Sequence, residues 1–412
     1  MADRHRTAAW WAMKIGVVPF ALVIAGTGCA HAVPLPRTDP IPVSASLAVT
    51  LEPAARTLDS AIAAGAAPGA VLAISYQGRH FVHSIGQLGV DDPRPPDDRT
   101  LYDMASLTKV VATTTLAMMA VEEHRIALDS PVVRYLPEFA RGKGDKRAVT
   151  VRNLLLHDAG LPPDPVPPLW MGPKGRRGAI ERALASNLDT IPGARYVYSD
   201  LSAITLAAII EKAYHERLDR LFAERVTGPL GLTRMRFLPP PAWRDEIAPT
   251  EIEKLPFRGT TALRGTVHDE NAWWLDGVSG HAGLFSDADD ALRFGEWALA
   301  GAEGKHVDAS IQPPAEFATW TVRQNQPEGS SRAIGWDTPS GISSAGHYMS
   351  TRSFGHTGFT GTSIWIDPEH DIVIVLLTNR VNPTRNTPRF GNVRGVVADA
   401  VMRSLFPELE PR

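Results

Sequence analysis

Ser106-Leu107-Thr108-Lys109 opens a segment in which Leu107, Val110, Val111, Thr114, Met118 and Val121 recur at helical spacing. That spacing predicts a long helix beginning at Ser106 with one face able to bury itself. Residues three apart in a helix share a face, so the Ser106 hydroxyl and the Lys109 amine come within hydrogen-bond reach. A serine hydroxyl is a poor nucleophile until a neighbour removes its proton, and Lys109 is placed to be that neighbour. At a helix start, unpaired backbone N–H groups and the positive dipole end also favour negative charge on an attacking oxygen. The same four residues also read as a serine N-cap followed by a surface lysine, which is the commoner reading of the tetrapeptide alone, since S-x-x-K is short enough to arise by accident.

Before this segment lies a helix signal at about 53–64, then two β-prone runs, 71–76 and 80–85, separated by Gln77, Gly78 and Arg79 in the manner of a hairpin. After it come helix signals at 151–156, 178–185 and 201–214. The proline-rich loop 161–168 lies between the first two, with a restricted backbone that suits either the wall of a cleft or a plain connector. Near the end, 363–366 and 372–378 flank Asp367, Pro368, Glu369 and His370 as a second hairpin, and a helix at about 392–405 follows. Strands near both ends with helices between them predict an α+β fold, with one antiparallel sheet built from both chain ends around a largely helical insertion.

The 412 residues, 44% hydrophobic and 21% charged, supply ample core material, and a net charge of -3 gives no support for nucleic-acid binding. Two basic clusters, at 141–147 and 174–177, sit among glycines and read as solvated loops. Residues 1–32 read as an export signal: Arg4, Arg6 and Lys14 precede an apolar run from Ile15 to Ile24, and Ala30-His31-Ala32 has the small-residue form of a cleavage site. The product is expected to be periplasmic or secreted, and an uncleaved segment would leave a membrane tether. Cys29, the single cysteine, resembles a lipoprotein attachment site, but Gly26 stands where that motif usually has Leu, which favours simple secretion. Residues 33–50, rich in Pro, Ser and Ala, read as a flexible tether, and 51–407 as the folded domain. The sequence does not fix the oligomeric state.

Two further triplets resolve the ambiguity at Ser106. Tyr198-Ser199-Asp200 stands just before the helix signal at 201, and His356-Thr357-Gly358 just before the strand at 363. With the first tetrapeptide they match the order and approximate spacing of the active-site elements of serine β-lactamases and penicillin-binding proteins. The chain resembles the class C β-lactamase-like group of that superfamily, which includes esterases, D-aminopeptidases and DD-carboxypeptidases. The resemblance runs from about 52 to 405 and includes TVRNLLLHDAGL at 150–161, GHAGLFS at 280–286 and FGHTGFTGTSIWID at 354–367. It implies a β-lactamase/transpeptidase-like fold with a helical lobe at roughly 106–264. It also implies an exported serine hydrolase acting through an acyl-enzyme on an ester, amide or D-amino-acid peptide, with no cofactor. In these roles Ser106 attacks, Lys109 helps take its proton, Tyr198 shuttles protons, and the N–H groups of Ser106 and Phe359 hold the oxyanion. Asp200, His356, Thr357 and Gly358 line the substrate site. The alternatives are a true β-lactamase and a non-catalytic binder of peptidoglycan fragments.

Two positions depart from the family pattern. Asp200 replaces the usual Asn, and a carboxylate near Lys109 would favour the protonated amine and shift proton removal toward Tyr198. His356 replaces the usual Lys, and its ordinary pKa near 6.5 makes it a weaker partner for a substrate carboxylate, which argues against efficient penicillin hydrolysis. His268, Asp269 and Glu270 lack metal-ligand spacing, so no metal is expected. His157 with Asp158, and His281, read as structural hydrogen-bonders, with His281 also near the cleft. Trp273 and Trp274 read as packing residues.

Overall fold

A computed structural model describes residues 43–252, 255 and 258–412. The export signal, Cys29 and the tether as far as residue 42 lie outside the described residues. Residues 45–50, expected within the tether, instead form the helix Ala45–Thr50, which is capped by Ser44 and buries Leu47. Leu47 and Leu51 belong to the apolar layer on one face of the main sheet, which makes this turn worth ordering.

Eight strands form two sheets among the described residues: β1 Gly69–Tyr76, β2 Arg79–Gly86, β3 Tyr102–Asp103, β4 Arg236–Phe237, β5 Leu284–Ser286, β6 Phe354–Thr357, β7 Ser363–Asp367 and β8 Ile372–Thr378. The main sheet has the order β2-β1-β8-β7-β6 and the small one β3-β5-β4. Every pair in the main sheet is antiparallel, with Leu72 opposite Leu376 and Ile364 opposite Val375. Both predicted hairpins are present, and the N-terminal hairpin joins the C-terminal one at the β1–β8 seam.

β8 is buried along its whole length because it is covered on both faces. Leu72, Ile74, Ile374 and Leu376 share an apolar cluster with Leu58, Val397 and Val401 of the helices Glu52–Ala63 and Val393–Leu405. Val71, Ala73, Val373, Val375 and Leu377 belong to a second cluster with Phe294 and Trp297 of the helix Ala288–Glu303. Each such aliphatic side chain contributes roughly 2 kcal/mol of burial. Gly295 lets that helix approach closely, since a Cβ there would lie 2.5 Å from Val373 Cγ1. The sequence reading does not anticipate Ala288–Glu303: Gly295 and Gly301 interrupt its interior, and Asp289 and Asp290, which read as polar, are buried.

The helix after Ser106 also differs from expectation. Lys109–Thr114 is a π-helical stretch that gives way to the α-helix Thr115–Glu122, and such wide turns occur often at functional sites. Val151–Leu156 matches its predicted bounds, while Arg176–Leu184 and Asp200–Tyr214 start one or two residues early. No helix among the described residues is long and apolar enough to cross a membrane.

Candidate active site

Ser106 sits in a tight turn between β3 and the π-helix, following Ala105, whose φ of 45° is unusual for a side-chain-bearing residue. Several bonds hold this turn. Asp103 Oδ1 accepts from Ala105 N (2.8 Å), and Asp103 Oδ2 accepts from His268 N (2.6 Å). Thr360 Oγ1 donates to Asp103 O (2.6 Å) and Thr362 Oγ1 to Met104 O (3.2 Å), which ties the turn to the β6–β7 connection. Gly358 stands at that junction, where a Cβ would fall 2.4 Å from Met104 O. Placing Phe359 beside Ser106 therefore depends on a glycine in the triplet.

Lys109 is 4% exposed. Its Nζ donates to Ser106 Oγ at 2.9 Å and to His281 O at 3.2 Å, and pairs with Asp200 Oδ1 at 2.7 Å. The last contact is an ion pair set off the hydrogen-bond angle, since the same oxygen has no geometrically acceptable donor. Burial alone would lower the Lys109 pKa, but Asp200 and then the Tyr198 oxygen outweigh it and hold the ammonium above its ordinary value. Lys109 is thus a cation at neutral pH, as the departure at position 200 implies.

Tyr198 reaches the same place from the far end of the helical insertion. Ser199 caps the helix Asp200–Tyr214 and donates to Pro162 O (2.6 Å), while Asp200 N donates to Pro163 O (2.7 Å), so the proline-rich loop positions this element. Lys109 Nζ lies 4.8 Å from the Tyr198 ring centroid, and Tyr198 Oη is buried without a hydrogen-bond partner. His157 accepts from Ser199 N at 3.1 Å and packs against Tyr198 with ring centroids 4.7 Å apart, so its structural reading fits the geometry.

Ser106, Tyr198, Asp200 and Phe359 line one cavity of about 430 Å³, walled by Asp164, Pro168 and Trp170 from the proline-rich segment and its continuation. His268, Asp269, Glu270 and Arg385 complete it. His356 and Thr357 stand before the predicted strand at Ser363 and themselves lie within β6, the edge strand antiparallel to it. His356 is 4% exposed, and burial, followed by the charges of Arg332 and Lys109, depresses its pKa well below the ordinary histidine value. Its Nδ1 faces Thr357 O at 2.8 Å, a contact that requires the proton on Nδ1, and Nε2 is left buried without a partner.

His268, Asp269 and Glu270 do not act as one ligand set. His268 bonds Glu251 (2.9 Å) and stacks on Phe359, Glu270 pairs with Arg385, and Asp269 bonds His281 (2.8 Å). Asp200, Asp269 and His281 do bring ligand atoms within 4.8 Å of one another, a convergence the sequence spacing hides. Lys109 and His281 already balance those two carboxylates, and Asp269 holds His281 above its ordinary pKa against the effect of burial. The donor set is thus committed to internal ion pairs and is a poor fit for a metal. Trp273 and Trp274 are half-buried and pack against apolar clusters, as read, and Lys174 lies over Trp273. Asp164, Arg332 and Arg385 escaped the sequence reading because each stands in a loop without a motif.

The chain is similar in sequence and fold to known proteins. The family model described as Beta-lactamase matches residues 54–397. The chain is 31% identical over 335 residues to a putative D-alanyl-D-alanine carboxypeptidase of Escherichia coli (strain K12), covering 74% of this chain and 76% of that protein. A protein of the same description from Salmonella agona (strain SL483) is 33% identical over 317 residues, covering 70% and 72%. Among solved structures, EstCE1, a hydrolase with promiscuous acyltransferase activity, aligns with TM-score 0.67 at 23% identity, covering 86% of this chain and 100% of that one. A penicillin-binding protein homologue from Caulobacter crescentus aligns with TM-score 0.66 at 21% identity, covering 88% and 100%. With its fold and the match over residues 54–397 both in place, this chain belongs to the beta-lactamase family and is a serine hydrolase of that family.

Proposed function

We propose that Ser106, Lys109 and Tyr198 are the catalytic set of an exported hydrolase that acylates and deacylates on small esters, amides or D-amino-acid peptides, cell-wall peptides among them. The observation that carries this reading is the Lys109 ammonium bonded to Ser106 Oγ at 2.9 Å, with Tyr198 in the same cavity. The relatives' carboxypeptidase description supports the peptide form of the reading. The N-terminal signal supports export.

In this mechanism the Lys109 ammonium donates to Ser106 Oγ and leaves the hydroxyl proton for Tyr198, acting as phenolate. The Ser106 oxygen attacks the carbonyl carbon, and the tetrahedral oxyanion accepts from the N–H groups of Ser106 and Phe359. Neither N–H donates elsewhere among the described residues. Such donors are worth about 3 kcal/mol each in other hydrolases. Tyr198 then protonates the leaving group as the C–O or C–N bond breaks, afterwards removes a proton from the water that attacks the acyl-enzyme, and passes that proton to Ser106 Oγ as the acyl–oxygen bond breaks, which restores the starting state.

The cavity carboxylates Asp200, Asp269 and Glu270 are paired with Lys109, His281 and Arg385, and the neutral His356 offers no cation for a substrate carboxylate. Penicillins and peptides that end in a free carboxylate, which both carry one, are therefore poorer substrates in this reading than neutral esters or amides. Labelling with a fluorescent phosphonate should modify the wild type and not Ser106→Ala. Nitrophenyl acetate, nitrocefin and a D-Ala-D-Ala peptide, assayed side by side, then assign the substrate class. Equal labelling of both proteins, or none of either, would overturn the catalytic reading and favour a binding module.

A further inference from the structure

Arg332 is 4% exposed and lies in a turn whose Asp337 exchanges both backbone hydrogen bonds with Gly355 of β6, at 2.9 Å each. Its Nε and Nη2 donate to Tyr196 Oη (3.2 and 2.8 Å), and Asp337 lies at the 4.0 Å limit of an ion pair. Nη1 is buried with no partner. The guanidinium also stands 5.3 Å from the Tyr198 ring centroid. A buried guanidinium hydrogen-bonded to one phenol, only loosely paired with Asp337 and with one nitrogen unsatisfied, is poorly explained as a cross-link alone, because a neutral side chain there would avoid the desolvation.

We propose that Arg332 is a positioning residue that stabilises Tyr198 as phenolate, supplying from a neighbouring turn the second cation that His356 leaves out. This rests on the reading of Tyr198 as the proton shuttle. Lys109 and Arg332 both lie within cation–π distance of the Tyr198 ring. A phenolate spreads negative charge into its ring, so cations near the face favour it over the phenol. The other groups around Tyr198 do not replace this charge. His157 and His356 are held neutral by burial, with Arg332 the next cause, Asp200 is anionic toward Lys109, and Tyr196 is the guanidinium's own acceptor. Arg332 does not line the cavity that holds Ser106, so its charge acts through Tyr198 and not by touching substrate.

The test is the pH dependence of kcat/KM for nitrophenyl acetate, from about pH 5 to about pH 10, in wild type, Arg332→Gln, Arg332→Lys and Tyr198→Phe. Arg332→Gln should move the acid limb upward by about one pH unit, which lowers the rate on that limb about tenfold, with the high-pH plateau retained. Arg332→Lys should keep the limb within a few tenths of a unit. An Arg332→Gln limb that coincides with wild type overturns the inference, whatever happens to the plateau. If Arg332→Gln does not fold, Arg332→Lys decides: a limb displaced by about a unit or more overturns the inference. A Tyr198→Phe enzyme with wild-type rates removes the underlying reading, whereas an inactive Tyr198→Phe with an unshifted Arg332→Gln limb removes the role of Arg332 alone.

Discussion

Asp200 Oδ1 stands 2.7 Å from Lys109 Nζ, and this pair fixes the charge state of the amine that touches Ser106. Where the family motif has an amide, this chain has an anion that holds Lys109 as an ammonium at neutral pH, and in the mechanism proposed above the Ser106 proton goes to Tyr198 instead.

Replacing Asp200 with Asn should release that hold. Burial, which lowers the Lys109 pKa, would then be opposed mainly by Tyr198. The ammonium would be lost at lower pH than in wild type. An alkaline limb in kcat/KM should therefore move down by about a unit or more in Asp200→Asn, read from ester hydrolysis across the alkaline range. An alkaline limb unchanged from wild type would show that Asp200 does not set the charge of Lys109.

Stability should carry the signature of His356. Its folded pKa lies well below the ordinary value, so the unfolded chain binds the extra proton. Stability from this group is complete above about pH 6.5 and falls as pH drops below it, by up to about 1.4 kcal/mol per pH unit until the folded value is reached. Buried carboxyls such as Asp158, raised to about 6 by desolvation, titrate with the opposite sign. The difference between wild type and His356→Gln in urea unfolding, measured from about pH 5 to about pH 8, isolates the histidine. A difference independent of pH would refute the assignment.

His356→Lys should change substrate preference. A lysine at this position restores the family's cation, so kcat/KM for a carboxylate-bearing peptide should rise several-fold relative to a neutral ester. Crowding with Arg332 and Lys109, both of which already depress His356, should make the variant less stable than wild type. Equal effects on both substrates would show that position 356 does not read the carboxylate.

Gly358→Ala probes the junction between β6 and the nucleophile turn. The new Cβ would meet Met104 O and Thr362 Oγ1 at 2.4 and 2.1 Å, so one of the two segments must move. The expected outcome is a loss of about 1–3 kcal/mol in urea unfolding together with a fall in kcat, because Phe359 and Ser106 are displaced relative to each other. Full activity with reduced stability would separate the junction from catalysis.

Much of this molecule was legible before its coordinates. The two hairpins were visible because apolar and β-branched runs alternate with glycine-containing turns, and Val151–Leu156 because Thr150 and Asn153 form a capping box. The helix Ala288–Glu303 was not legible, since its pattern is broken by glycines whose purpose appears only when Val373 packs against one of them. Arg332 was hidden for a related reason: it stands over one hundred residues from Tyr198, in a turn with no motif, and only the pairing of Asp337 with Gly355 brings it alongside.

Local sequence determined which chemistry is present: a hydroxyl, an amine and a phenol in ordered motifs, an anion at position 200, and a histidine where a lysine is usual. These are properties of residue type and spacing, and they survive without knowledge of the fold. Tertiary structure decided their charge states. Proton affinity depends on burial and on charges within several ångströms, and these are contributed by segments far apart in the chain, so the protonated Lys109, the neutral His356 and the cation beside Tyr198 exist only once those segments meet.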